Sequence, residues 1–167
     1  MKARSPARSP SADSADEHGD FQVRQEDVHM EKDFSFKDGI YLVKDQNEFD
    51  LHNNFDFQEV VYSVSQRRVT LGWSRSKGEW VSAHAPTFIR IEFSEVTEYR
   101  FFPRDSELPF TEDDCLSVAG YWTDGDWCDG VFMTDETPEK NWLTAFGFMS
   151  GAIIAVQAER AKAVLEP

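Results

Sequence analysis

From about residue 34 onward the chain runs in short apolar or alternating segments separated by turn chemistry, the rhythm of antiparallel strands rather than of helices. Asp38-Gly39 marks a turn, and Ile40 to Val43 reads as a short strand after it. The clearest hairpin follows as FQEVVYSV, the linker SQR and RVTLGWS. Val61, Ser63 and Ser65 alternate with Val60, Tyr62 and Val64, and Val69, Leu71 and Trp73 share a face opposite Arg68, Thr70 and Gly72. One face of that hairpin belongs to a core. A loop, SRSKGEWVSAHAP, ends at Pro86. TFIRIEF and VTEYRFF then alternate as two further strands, a composition that helices disfavour. Thr111 ahead of Glu112, Asp113 and Asp114 predicts a short helical turn over 111–117, with Thr111 as its cap and the acids favoured by the helix dipole. LSVAGYW and GVFMT read as strands on either side of an acidic turn, TDGDWCDG.

Between Lys140 and Glu159 lie eighteen residues without a charge, which reaches the lower length of a membrane helix. Asn141, Thr144, Ser150 and Gln157 interrupt this stretch, and Gly147 and Gly151 weaken a helix there. A turn at Ser150-Gly151 accounts for more, joining WLTAFGFM to AIIAVQAE as a buried hairpin. The Ala-rich close, AERAKAVLE, has helical propensity. These elements predict a mainly β protein, an antiparallel sandwich or partly closed barrel of about eight or nine short strands with one or two short helical turns. No repeat period is visible.

Residues 1 to about 20 are Ser, Ala, Pro, Arg and Asp, too poor in apolar side chains to offset ordering entropy, and lack the apolar run of a secretory signal. A disordered tail over 1–30 and a single β-rich domain over 31–167 are expected. Ser5-Pro6 and Ser9-Pro10, flanked by Arg4 and Arg8, read as solvated linker, with phosphorylation or weak minor-groove contacts as the sharper alternatives. Met30 opens the folded pattern and suggests a functional start there.

The 167 residues carry 17 Lys and Arg against 31 Asp and Glu, a net charge of -14. Such a chain is repelled by phosphate backbones and anionic leaflets, so neither nucleic acid nor membrane is expected as a partner; a basic protein is. The 14% aromatic content calls for a real core. Residues 105–139 hold eleven acids and neither Lys nor Arg, whereas residues 67–104 hold seven basic residues against four acids. A solvated face is the plainest account of such a run. Its aromatic side chains, Phe110, Tyr121, Trp122, Trp127 and Phe132, however, add what an interface needs, apolar anchors inside steering charge. The candidate partner-binding residues are Asp113, Asp114, Trp122, Asp124, Asp126, Trp127, Asp129, Asp135 and Glu136.

Candidate chemistry is thin. Asp124, Asp126 and Asp129 invite a calcium reading, but Cys128 and Asp129 stand where an EF-hand loop needs Asp or Asn and then Gly, so an Asx-type turn is preferred. Cys115 and Cys128 are spaced for neither a disulfide framework nor a zinc ribbon, and read as free thiols of a cytoplasmic protein. A nucleophile and base could be assembled in space, for example Cys128 with His52 or His84, but structural roles are the preferred reading, and no HExxH, GxSxG, P-loop or GxGxxG motif occurs. No catalytic residue, metal or cofactor is therefore assigned.

In strand rhythm and charge, EVVYSVSQRRVTLGW, IRIEFSEVTEYRFF and AFGFMSGAIIAVQAE resemble small acidic β-rich bacterial immunity proteins of polymorphic and contact-dependent toxin systems. The resemblance implies a single-domain inhibitor without catalytic residues, whose acidic surface covers a basic nuclease toxin. A competing expectation is a small-molecule-binding β-barrel or sandwich, or an enzyme, with Trp73, Trp80, Tyr99 and Trp142 lining an aromatic pocket.

Overall fold

A computed structural model describes residues 30–122 and 142–167. Among these residues the chain forms ten strands: β1 (Glu31–Lys32), β2 (Ser35–Lys37), β3 (Tyr41–Lys44), β4 (Asn47–Asp50), β5 (Phe55–Ser63), β6 (Arg68–Arg75), β7 (Phe88–Phe102), β8 (Leu116–Trp122), β9 (Leu143–Phe148) and β10 (Ile153–Glu166). The main sheet runs β5-β6-β7-β10-β9-β8, antiparallel throughout, and β1 adds to β10 in parallel beyond the end of β9. It curls into a half-barrel. Its two edges approach at one end, where the Phe57 N–H of β5 donates to the Asp114 carbonyl just before β8 at 2.8 Å. The expected mainly β, partly closed architecture is the one observed.

Alternation sets the core. Val69, Leu71 and Trp73 of β6, Ile89, Ile91 and Phe93 of β7, and Phe146 of β9 are buried on one face. The small antiparallel sheet β2-β3-β4 contributes Phe36 and Leu42 to the same cluster, with the Phe36 ring edge-on to Phe146 at 5.6 Å. Gly72 makes room for a ring on the other face, because a Cβ there would lie 2.6 Å from the Phe88 ring and displace it.

Three differences from expectation have physical causes. TFIRIEF and VTEYRFF form one fifteen-residue strand, β7, rather than two. The inward positions change phase between Phe93 and Val96, at Glu95 with φ 58°, and a bulge at Thr97 opposite Gln157 and Ala158 follows, which together mimic a break in the pattern. AERAKAVLE is strand, not helix: Ala161 lies opposite Phe93 and Ala163 opposite Ile91, so small residues of β10 accommodate large ones of β7 and packing overrides propensity. The predicted turn at 111–117 is instead a 3-10 turn, Phe110–Glu112. It starts after Pro109 without a side-chain cap, and β8 begins at Leu116.

The uncharged stretch forms the expected hairpin. β9 and β10 pair through Gly147 and Ile153, and the turn is closed by Phe148 N–H to Ala152 carbonyl and Gly151 N–H to Phe148 carbonyl, both 2.9 Å, with Gly151 at φ 80°. No helix among the described residues is long and apolar enough to cross a membrane. The tail, GVFMT and TDGDWCDG lie outside the described residues.

Candidate functional site

The connection from β7 to β8 carries five of the eleven acids, Asp105, Glu107, Glu112, Asp113 and Asp114, and it is tied down along its length. The Asp105 carboxylate accepts the Glu107 N–H at 2.9 Å, an Asx turn. The hairpin turn between β9 and β10 then supports the loop from beneath. Asp105 N–H donates to the Ser150 carbonyl at 2.8 Å, Ser150 N–H to the Glu112 carbonyl at 3.1 Å and Met149 N–H to the Cys115 carbonyl at 2.9 Å.

This scaffold presents apolar side chains to water. Phe110 is 80% exposed, and Leu108 and Met149 are exposed beside the same hydrogen-bonded frame. Arg104 organises the centre: its guanidinium lies 4.3 Å from the Phe110 ring centroid, its Nε donates to Asp113 Oδ1 at 2.8 Å, and it also donates to the Leu108 carbonyl. The hydrogen bond from Arg104 holds the Asp113 carboxyl below its ordinary range. The acids act on one another as well. Asp56 on β5 is raised by burial and then by the Asp114 charge. The sequence counts Phe110 among the aromatic side chains of the acid-only run without placing it in the candidate partner-binding set, and neither Arg104 nor Met149 enters that set.

Only Asp113 and Asp114 of the predicted set belong to this surface. Trp122 is 2% exposed, with its ring 5.9 Å from Phe102 and packed with Leu143, Ala145 and Ala155 in a second buried cluster. Its place in β8 makes it structural, since a buried indole offers a partner nothing. Asp124, Asp126, Trp127, Asp129, Asp135 and Glu136 lie outside the described residues.

The thiol beside this surface is not an activated nucleophile. Cys115 Sγ lies 3.6 Å from His52 Nδ1, a pairing not foreseen from sequence, where Cys128 was matched to His52 or His84. His52 Nδ1 lies 2.5 Å from the Leu116 carbonyl, so that nitrogen serves as a donor and is not a base toward the thiol. Burial first, then Glu112, Asp114 and Asp56, push the Cys115 thiol up, which keeps it protonated. Cys128 lies outside the described residues, and among those described no group of three or more His, Cys, Asp or Glu side chains is placed to hold a metal ion.

The four aromatic residues of the competing pocket do not converge. Trp73 is fully buried in the main core, whereas Trp80 is 72% exposed with its Nε1 donating to the Asn53 carbonyl at 3.1 Å. Tyr99 is half-buried against Tyr62, and Trp142 packs at the core margin. A cleft of about 440 Å³ lies instead beside β1, lined by charged side chains including Lys32, Glu92, Arg160 and Lys162. Lys32 sits over the Tyr121 ring, 4.2 Å from its centroid, and donates to the Tyr121 hydroxyl. Burial lowers the Lys32 amine to about 8 and raises the Tyr121 hydroxyl to about 12.

No protein-family model, curated protein or solved structure matches the chain.

Proposed function

We propose that this protein is a non-catalytic binding module of the immunity or inhibitor type, which neutralises a basic protein partner through its acidic end. The observation that carries this reading is Phe110, 80% exposed in a segment that from 105 to 122 contains no Lys or Arg. A large exposed aromatic on a hydrogen-bonded loop loses little conformational freedom on binding, and surrounding carboxylates steer a cationic partner and make the contact salt-sensitive. Arg104 supports the reading because its guanidinium is committed to Asp113 and to the underside of the anchor rather than offered as a competing charge. A cytoplasmic place of action is part of the proposal.

The test is retention of partners from the native host on the immobilised protein at low and high salt, alongside a Phe110→Asp variant. A basic protein should be retained at low salt, eluted by salt, and bound at least about tenfold more weakly by the variant. Recovery of only acidic proteins, or equal binding by Phe110→Asp, would count against the proposal.

A further inference from the structure

Among the described residues the outer edge of β5 is an open strand edge with exposed hydrophobic side chains. Among the described residues β5 pairs only with β6, and Phe57 N–H alone is taken up on the other side, by Asp114. From Gln58 to Ser63 alternate backbone groups therefore point outward, and Val61 and Tyr62 along this edge, with Val64 just past it, are 50%, 43% and 72% exposed. Native proteins guard such edges with charge, proline or bulges. Here the bulge at Gln58 and the acids Asp56 and Glu59 guard only the first half.

We propose that this edge pairs antiparallel with the same edge of a second copy, about a two-fold axis at Val61. Pairing about Val61 sets Val61 beside its own image, Val60 against Tyr62, and Glu59 against Ser63. In each of these pairs both side chains point to the same face of the joined sheet. Charge then selects this partner over others. Ser63 lies opposite Arg68 of β6, on the face that also holds Glu59 over Gly72, and both Glu59 and Arg68 are exposed. Across the two-fold axis Glu59 of one copy, Ser63 of the other and its Arg68 fall in one row over three strands. The small serine lets the two long side chains meet above it. Antiparallel pairing thus brings each copy's acidic half of β5 against the other's basic turn at Arg67 and Arg68, and no like charges stand opposite. Five residues a side make an interface well below the roughly 1,200 Å² of stable complexes, so the dimer is weak and forms in the micromolar range.

Sedimentation of the full chain from micromolar to millimolar concentration tests this. A concentration-dependent dimer is expected. Val61→Lys, at an exposed strand position, should raise its dissociation constant about tenfold or more without shifting the melting curve. Arg68→Glu should weaken the dimer several-fold, and adding Glu59→Arg to the same chain should restore it. With Cys115 and Cys128 replaced by Ser, Val61→Cys should form a disulfide-linked dimer on mild oxidation, because each copy's residue faces its own image, whereas Glu59→Cys should not. A monomer at all concentrations, or a dimer untouched by Val61→Lys, would overturn the proposal. Failure of the charge swap together with failure of the Val61→Cys cross-link would overturn the two-fold register.

Discussion

Two exposed apolar surfaces among the described residues, the loop between β7 and β8 and the β5 edge, differ in what they offer. At the loop between β7 and β8 the backbone is bonded to the β9-β10 turn at Asp105, Glu112 and Cys115, and the contact surface is made of side chains: Phe110, Leu108 and their carboxylate surround. At the β5 edge the reverse holds, because the backbone itself is open and Val61 and Val64 merely flank it. The first surface can recognise a particular shape and charge. The second can recognise any extended strand, and it relies on Glu59 and Arg68 for discrimination. A loop rich in carboxylates and an edge next to arginines thus give one small sheet two kinds of contact that do not compete for the same chemistry.

Both surfaces hang on one core, and the largest expected effect tests that dependence. Trp73→Ala should cost about 3–5 kcal/mol in urea unfolding, since Trp73 is fully buried against Phe57 and Phe146. Both associations should fail together as the folded fraction drops. Gly151→Ala should separate them. At φ 80° an alanine is strained by about 1 kcal/mol, and the strained turn is the one that anchors Asp105 and Glu112. Calorimetry should show weaker binding of the basic partner with self-association unchanged; loss of both would mean that the two ends are mechanically coupled.

The smallest expected effect is a slope in stability with pH that belongs to neither surface. Below pH 8 the fold holds a charged Lys32 amine in a poorly solvated place, while the unfolded chain keeps that proton up to its ordinary 10.5, so stability should rise from pH 8 toward 10. Above pH 10 the sign reverses. Unfolded tyrosine then loses its proton while Tyr121 keeps its own up to about 12, so stability falls again. Partial solvation limits each limb to under about 1 kcal/mol. Denaturant titrations across this range should lose the rising limb in Lys32→Met, and self-association should stay flat through it.

Strands with large alternating side chains were legible in the sequence: Val69, Leu71 and Trp73, then Ile89, Ile91 and Phe93, face the core as their spacing predicts. So was the hairpin at Ser150-Gly151. The β3-β4 hairpin was not, because Asp45 and Gln46 take φ 49° and 66° without the usual glycine, and Asn47–Asp50 contains a single apolar residue. The charge of the acidic end could be read directly. Its anchor could not, because local spacing does not say whether Trp122 or Phe110 faces water. That depends on a second apolar layer of Leu143, Ala145 and Ala155 brought to Trp122 from more than twenty residues away.

β10 follows the other nine described strands in sequence, yet in the sheet it lies between β7 and β9 and also receives β1. During synthesis the β5-β6-β7 meander can form early, but its β7 edge stays open until the last of these residues emerges. Only then do Ile153 to Glu166 join it to the β8-β9 half, in one long-range step that loses much loop-closure entropy. Folding should therefore be slow and late, and a chain shortened within β10 should collapse into two half-sheets with open edges rather than into a slightly smaller protein.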